Sequence, residues 1–166
     1  MHIPVWIEPS SGAVAPVLYR WDEDTDILTA RVSGEDTATR SLSVDVEGRD
    51  GSWLILDVAD SGIRGVEVAV WPTVRKRSDL LPPLDVETVC ARLGTAASGE
   101  QVTAVEIDTP VSAESDRAER TLHFRLGTGR QVRTVRVARE LLLDLDSRDR
   151  LAGVWLLDVP PFPDVP

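Results

Sequence analysis

The chain is predicted to be mainly β: two repeated antiparallel β-meander units forming one shared core, sandwich-like or barrel-like, joined by one short helix. Three observations carry this expectation. Short segments rich in β-branched residues follow one another, separated by clusters of turn formers. The same order of signals then occurs twice. Between the two occurrences the apolar period changes from two towards that of a helix.

In chain order, "VLYRW", "ILTARVS", "LSVDVEG", "WLILDVA" and "RGVEVAVW" alternate as half-buried strands do, with "DEDTD", "SGEDT", "GRDGS" and "DSG" between them. Such short connections favour antiparallel neighbours. Prolines and charge interrupt the pattern at "WPTVRKRSDLLPP". In "LDVETVCARLG", Val86, Val89, Cys90 and Leu93 fit one helical face, with Asp85 as start cap and Gly94 as stop, so a helix is expected over residues 85–94. "AASGEQ" reads as a loop. Strands resume with "VTAVEID", "TLHFRL", "QVRTVRV", "LLLDLD" and "AGVWLLDV", and "VPPFPDVP" should be an extended tail.

"WLILDVADSGIRGVEVAVWP" from Trp53 and "LLLDLDSRDRLAGVWLLDVP" from Leu141 share an apolar run, an Asp (Asp57, Asp144), a turn, a Gly (Gly65, Gly153) and another apolar strand. Upstream, "ILTARV" has its counterpart in "TLHFRL". Such similarity implies one supersecondary unit used twice, each too small to bury its own sheet face. The expected organisation is an N-terminal strand and first β-unit (1–72), a linker with the helix (73–101), a second, diverged β-unit (102–160) and a Pro-rich tail (161–166).

The acidic turn and its strand resemble a small bacterial family, the domain of unknown function numbered two thousand two hundred and eighty-three. Its members open with a Tyr-Asp turn, a second Asp four positions on and an alternating strand, and continue to a hairpin. Here Trp21 takes the Tyr position, Asp22 and Asp26 the acidic positions, and Leu28, Ala30 and Val32 the strand. Leu56, Asp57, Gly62, Gly65 and Glu67 fit the hairpin. In the second occurrence Asp116 takes the first acidic position, Arg120 replaces the second, and Trp155 replaces the Glu. The resemblance implies a compact antiparallel β-unit, and the family brings no activity, cofactor or catalytic residue with it.

Charge narrows the partners. Lys and Arg number 18 against 28 Asp and Glu, a net charge of -10, which repels nucleic acid and anionic membranes and favours a basic protein. All basic side chains except Lys76 are Arg, and Asn is absent, the bias of a GC-rich bacterial genome. That bias also accounts for Arg130, Arg133, Arg136 and Arg139 without a nucleic-acid stripe. No apolar run is long enough to span a membrane and the opening residues lack the pattern of a signal peptide, so a cytoplasmic protein is expected. The lone Cys90 cannot form an internal disulfide and reads as a small buried apolar residue.

No catalytic set emerges. Asp22, Asp24 and Asp26 have the spacing that opens a calcium loop, but Ile27 stands where that loop needs Gly and Ser33 where it needs a bidentate Glu. The segment is expected to be a turn, as is "DLDSRD" from Asp144. His2, Cys90 and His123 lack zinc spacing. Alternation places His123 opposite Leu122 and Phe124, on a solvated or partner-facing side. Nucleophile elbow, phosphate loop and dinucleotide fingerprint are all missing. Trp6, Trp21, Trp53, Trp71 and Trp155 are expected to pack mostly in the core.

The expected function is therefore a non-enzymatic interaction module, needing no cofactor or metal, that binds a basic protein as an immunity protein, antitoxin or assembly partner would. Asp22, Glu23, Asp24 and Asp26, the densest acidic patch, are the expected partner-binding residues. Edge strands are open to pairing with a second copy. The alternative is a small-molecule binder or cofactor-independent enzyme with a Trp-lined pocket between the β-units. Chelator should leave the melting temperature of the purified protein unchanged. A saturable rise on adding calcium, abolished in the Asp22→Ala, Asp24→Ala variant, would overturn the reading of the acidic segment as a turn.

Overall fold

The computed structural model describes residues 3–10, 12–34, 41–60, 62–94 and 104–163. Among the described residues, fourteen strands form one curled, open sheet, a half-barrel. They are β1 (Val5–Pro9), β2 (Val17–Trp21), β3 (Leu28–Val32), β4 (Ser41–Glu47), β5 (Trp53–Ala59), β6 (Gly62–Val70) and β7 (Val74–Lys76), then β8 (Glu87–Leu93), β9 (Ala104–Asp108), β10 (Val111–Ser115), β11 (Leu122–Leu126), β12 (Val132–Ala138), β13 (Leu141–Asp146) and β14 (Leu151–Leu156). The mainly β expectation holds.

Antiparallel pairing runs β2-β3-β6-β5-β4 in the first half and β10-β11-β14-β13-β12 in the second. Asp57 lies opposite Gly65, and Asp144 opposite Gly153. A Cβ at Gly65 would stand 2.8 Å from the Ala30 carbonyl oxygen, and one at Gly153 2.8 Å from that of Phe124. Both distances are too short for any other residue without backbone movement. The register also slips next to each glycine, between Asp57 and Val58 and between Asp144 and Leu145.

The two halves are tied by exchanged strands. Strand β9 leads into the second half but pairs in parallel with β4 of the first. Strand β7 follows the first half and pairs in parallel with β10 of the second, while β8 bridges β12, β6 and β1. Alternation then turns one side of every strand inward. Val44, Val46, Leu54, Leu56, Val66 and Val68 meet Phe124, Leu141, Leu143 and Leu145 in one continuous core. Polar bonds cross the same seam: Glu140 Oε2 accepts from Val17 N at 2.7 Å, and the Tyr19 hydroxyl donates to Leu157 O at 2.6 Å. Burial, with the nearby Glu140 and Asp158 carboxylates, pushes the Tyr19 phenol well above its ordinary range, so it stays a donor.

Several expectations are corrected. The segment 85–94 is not a helix, and no helix occurs among the described residues. Val89, Ala91 and Leu93 are buried at period two, while Cys90 and Arg92 are exposed. The same apolar residues fit both periods, and five consecutive pairings with β1, from Val5 with Leu93 to Pro9 with Val89, decide for strand. Asp85 is exposed and caps nothing helical, and Gly94 N donates to Pro4 O. Cys90 is exposed rather than buried, because it points away from the core between Val89 and Ala91. Trp6 is likewise exposed, on the outer side of β1. The expected loop "AASGEQ" lies outside the described residues. The Pro-rich end has no regular structure over residues 157–163, and Phe162 packs edge-on against Trp21, 5.2 Å between ring centroids.

Both β13 and β14 are buried on two sides. Leu141, Leu143 and Leu145 face the core, whereas Leu142 and Trp155 meet Leu80, Val86 and Leu157 beneath the connector between β7 and β8. Cutting the chain near Leu81 severs that cover and both parallel exchanges. The two fragments should therefore show no cooperative unfolding by circular dichroism when separate. Two halves with native-like, cooperative spectra would show that each closes its own core.

Candidate functional site

Three places gather chemistry. The first is an aromatic cleft at the seam. Trp21 ends β2 and Trp71 follows β6; their rings stack with centroids 5.7 Å apart and planes at 17°. Trp21 Nε1 donates to Pro160 O at 2.9 Å and Trp71 Nε1 donates to Asp26 O at 2.7 Å, which fixes both rings. The space beside them, about 560 Å³, is also lined by Phe162, Leu122, Ser115 and the Lys76–Glu119 pair. The acidic segment borders this cleft. As expected it is a turn: Asp22 N donates to Ile27 O, Asp26 N donates to Asp22 O, and Asp22 Oδ1 accepts from Asp24 N at 3.0 Å. Asp22, Glu23, Asp24 and Asp26 are exposed, and Asp26 sits at φ 60°, in the left-handed region that Asp tolerates.

The second place is a buried polar network on the outer side of the second half. His123 Nε2 lies 2.6 Å from Asp144 Oδ2, Thr134 Oγ1 donates to Asp144 Oδ1 at 2.7 Å, and Trp155 Nε1 donates to the same oxygen at 3.1 Å. The His123 and Trp155 rings stack at 3.8 Å. His123 is 5% exposed and Asp144 2%, so the expected solvated histidine is corrected. Alternation does turn it away from the core, but the connector carrying Leu80 covers that side. Burial alone would raise the Asp144 carboxyl; the bonds from His123, Thr134 and Trp155 outweigh burial and hold it below the usual range. An ionised Asp144 only accepts, so Nε2 carries the hydrogen of this bond. His123 Nδ1 is buried and has no partner among the described residues. A base with an orienting acid is thus present, but among the described residues no hydroxyl or thiol is hydrogen-bonded to its free nitrogen.

Of "DLDSRD", expected to be a turn throughout, Asp144–Asp146 instead end β13 and only residues 147–149 turn, closed by Asp146. Its Oδ1 accepts from Arg148 N and Arg150 N, both at 2.9 Å, and its Oδ2 lies 2.6 Å from Arg130 Nη2 and 2.9 Å from Arg150 Nε. Burial would again raise this carboxyl, and the two guanidinium groups and two backbone donors push it well below the usual range.

The third place is the outer side of the first half. Thr29, Arg31, Ser43, Ile55, Asp57, Gly65 and Glu67 line an open groove of about 290 Å³. Pairing sets Asp45 beside Glu106, and Glu47 beside Asp108, on this side. Glu47, Asp57, Glu106 and Asp108 are exposed, and Asp45 and Glu67 are half-buried. Asp45 Oδ1 and Trp53 Nε1 are buried atoms without a partner among the described residues. Ile55 and Trp53 supply half-buried apolar surface amid the acids.

Sequence reasoning identified the turn and the tryptophans but not what they meet. It missed Ser115, the His123–Asp144 pair, the burial of Arg130 and the acidic sheet side. Among the described residues no three His, Cys, Asp or Glu side chains are arranged to hold a metal ion, and no helix is long and apolar enough to cross a membrane. The fold and these places define an open, curled all-β protein with a lined cleft and one sheet side rich in exposed carboxylates. No family model matches the chain, and no curated protein matches it.

Asp144 and Asp146 titrate lower when folded, so their stabilisation is fully present above the unfolded carboxylate range, about pH 4, and is lost as pH falls through the folded values. Denaturant titrations should show stability dropping below about pH 4. Asp146→Asn should lose about 3 kcal/mol at neutral pH and flatten that acid dependence, because it leaves Arg130 without its buried partner. An unchanged acid profile in Asp146→Asn would remove Asp146 from this account.

Proposed function

We propose that the protein is a non-enzymatic interaction module, a tandem and diverged pair of the small bacterial β-unit it resembles, acting in the cytoplasm on a basic protein. Support for the duplication comes from the matching pairing orders, from Asp57 opposite Gly65 and Asp144 opposite Gly153, and from the two register slips. The observation that carries the function is the difference between the two outer sides. In the second half, Leu142, Asp144 and Trp155 lie beneath the chain's own connector. Of their counterparts by pairing in the first half, Asp57 is exposed and Ile55 and Glu67 are half-buried rather than buried.

The connector also indicates what the open side accepts. It follows β7 in the stretch "RKRSDLLPP", turns at Ser78 and Asp79, and packs Leu80 on Leu142 and Trp155 while Arg77 pairs with Glu114 at 2.6 Å. A basic, Leu-bearing segment of a partner, laid across Ile55 between Asp45, Asp57, Glu67 and Glu106, repeats that chemistry. Apolar contact anchors it and the carboxylates steer it in. The His123–Asp144 pair supports the non-enzymatic reading, because it lies under cover and the free His123 nitrogen has no hydrogen-bonded nucleophile among the described residues.

Against the partner captured from native lysate, association should be measured at two ionic strengths. Neutralising Glu47, Asp57, Glu106 and Asp108 together should slow association at low salt by about tenfold, flatten its salt dependence and change dissociation less. A parallel variant neutralises Asp22, Glu23, Asp24 and Asp26 and tests whether the acidic turn shares in steering. Unchanged association in both variants, or a defined reaction product from the purified protein, would overturn the proposal.

A further inference from the structure

We propose that the cleft beside Trp21 and Trp71 binds a small organic cation with an aromatic or alicyclic body, independently of the protein partner. Its volume of about 560 Å³ falls in the range of small-ligand sites. Part of the lining is apolar, namely the two stacked indoles, Phe162, Leu122, Val74 and Pro161, and the rest is polar. Both indole N–H groups are already committed to backbone carbonyls of Pro160 and Asp26, so the indoles bring aromatic surface to the cleft and no free donor. Ring faces attract cations and give an anion nothing.

Charge at the mouth points the same way. Lys76 Nζ lies 2.7 Å from Glu119 Oε1, so these two offset one another. What remains is the carboxylate of Asp26, with Asp22, Glu23 and Asp24 on the same exposed turn. The independent observation is Ser115. It lines the cleft, it is 0% exposed, and its Oγ has no partner among the described residues. A hydroxyl held dry among Leu122 and Val74 is unfavourable for packing alone, since alanine would fill the position without an unmet hydrogen bond. The site thus combines an aromatic side for the body and a carboxylate at the mouth for the charge, with an unsatisfied buried hydroxyl beneath.

The full chain should be titrated by calorimetry and tryptophan fluorescence with three probes of one shape: 2-phenylethylamine, 2-phenylethanol and phenylacetate. The amine should bind saturably, the alcohol at least tenfold more weakly, and the acid not at all. Asp26→Asn, which asparagine tolerates at this backbone angle, should abolish the preference for the amine over the alcohol. Glu119→Gln frees Lys76 and should shift preference towards phenylacetate. Absence of saturable binding at millimolar amine, equal binding of the acid, or a preference unmoved by both variants would overturn the proposal. Partner association measured beside these titrations separates the two sites, since the Asp26 and Glu119 variants alter the probes whether or not the acidic sheet side is correctly assigned.

Discussion

A sheet with an apolar side must have something laid on it, and neither half of this chain has enough of its own. The core solves this by interdigitating Leu54, Leu56 and Val66 with Phe124, Leu141 and Leu143, so each half is the other's cover. The parallel exchanges put β7 on β10 and β9 on β4, at the two ends of the open sheet, so that each half is edged by a strand from the chain that joins them, while β8 lies between the halves. The cleft and the open acidic side exist because cover is shared unequally. The connector covers one outer side while the other keeps exposed carboxylates, and Trp21 and Trp71 meet the Pro-rich end beside the cleft.

Burial on both sides gives the second half a different chemistry from the first. Asp144 sits where Asp57 does by pairing, yet Asp57 is exposed and Asp144 is held by three donors in a dry environment. Covering a polar strand requires that every carboxylate oxygen find a partner, and His123, Thr134 and Trp155 supply them. Trp155 stands in the position of Glu67 and both packs against the cover and donates to the acid beneath. One nitrogen, His123 Nδ1, remains over, the residue of fitting a network under a strap.

The sequence made the strands legible because alternation survives in them: "LSVDVEG" and "WLILDVA" read correctly at period two. It misled at "ETVCARL", where Val89, Cys90 and Leu93 also fit a helical face and only the pairing with β1 settles the matter. His123 shows the same limit for the site. Its direction away from Phe124 was readable, but whether that side meets water depends on Leu80, 43 residues earlier in the chain. Ser115 carries no local signal of any kind, since its burial comes from Leu122 and the parallel partner β7.

The parallel exchange has a consequence for how the protein is made. Synthesis runs from the N-terminus, so β4 emerges with its outer edge unpaired and keeps it so until β9, more than fifty residues later, has cleared the ribosome. Over that interval Val44, Val46, Leu54 and Leu56 have no opposing layer, because Phe124 and Leu141 are still to come. The nascent first half is thus an open edge with a bare apolar surface, the form in which β-chains stick to one another. The acidic residues that crowd its other side, Asp45, Glu47 and Asp57, give that intermediate a repulsive coat while it waits.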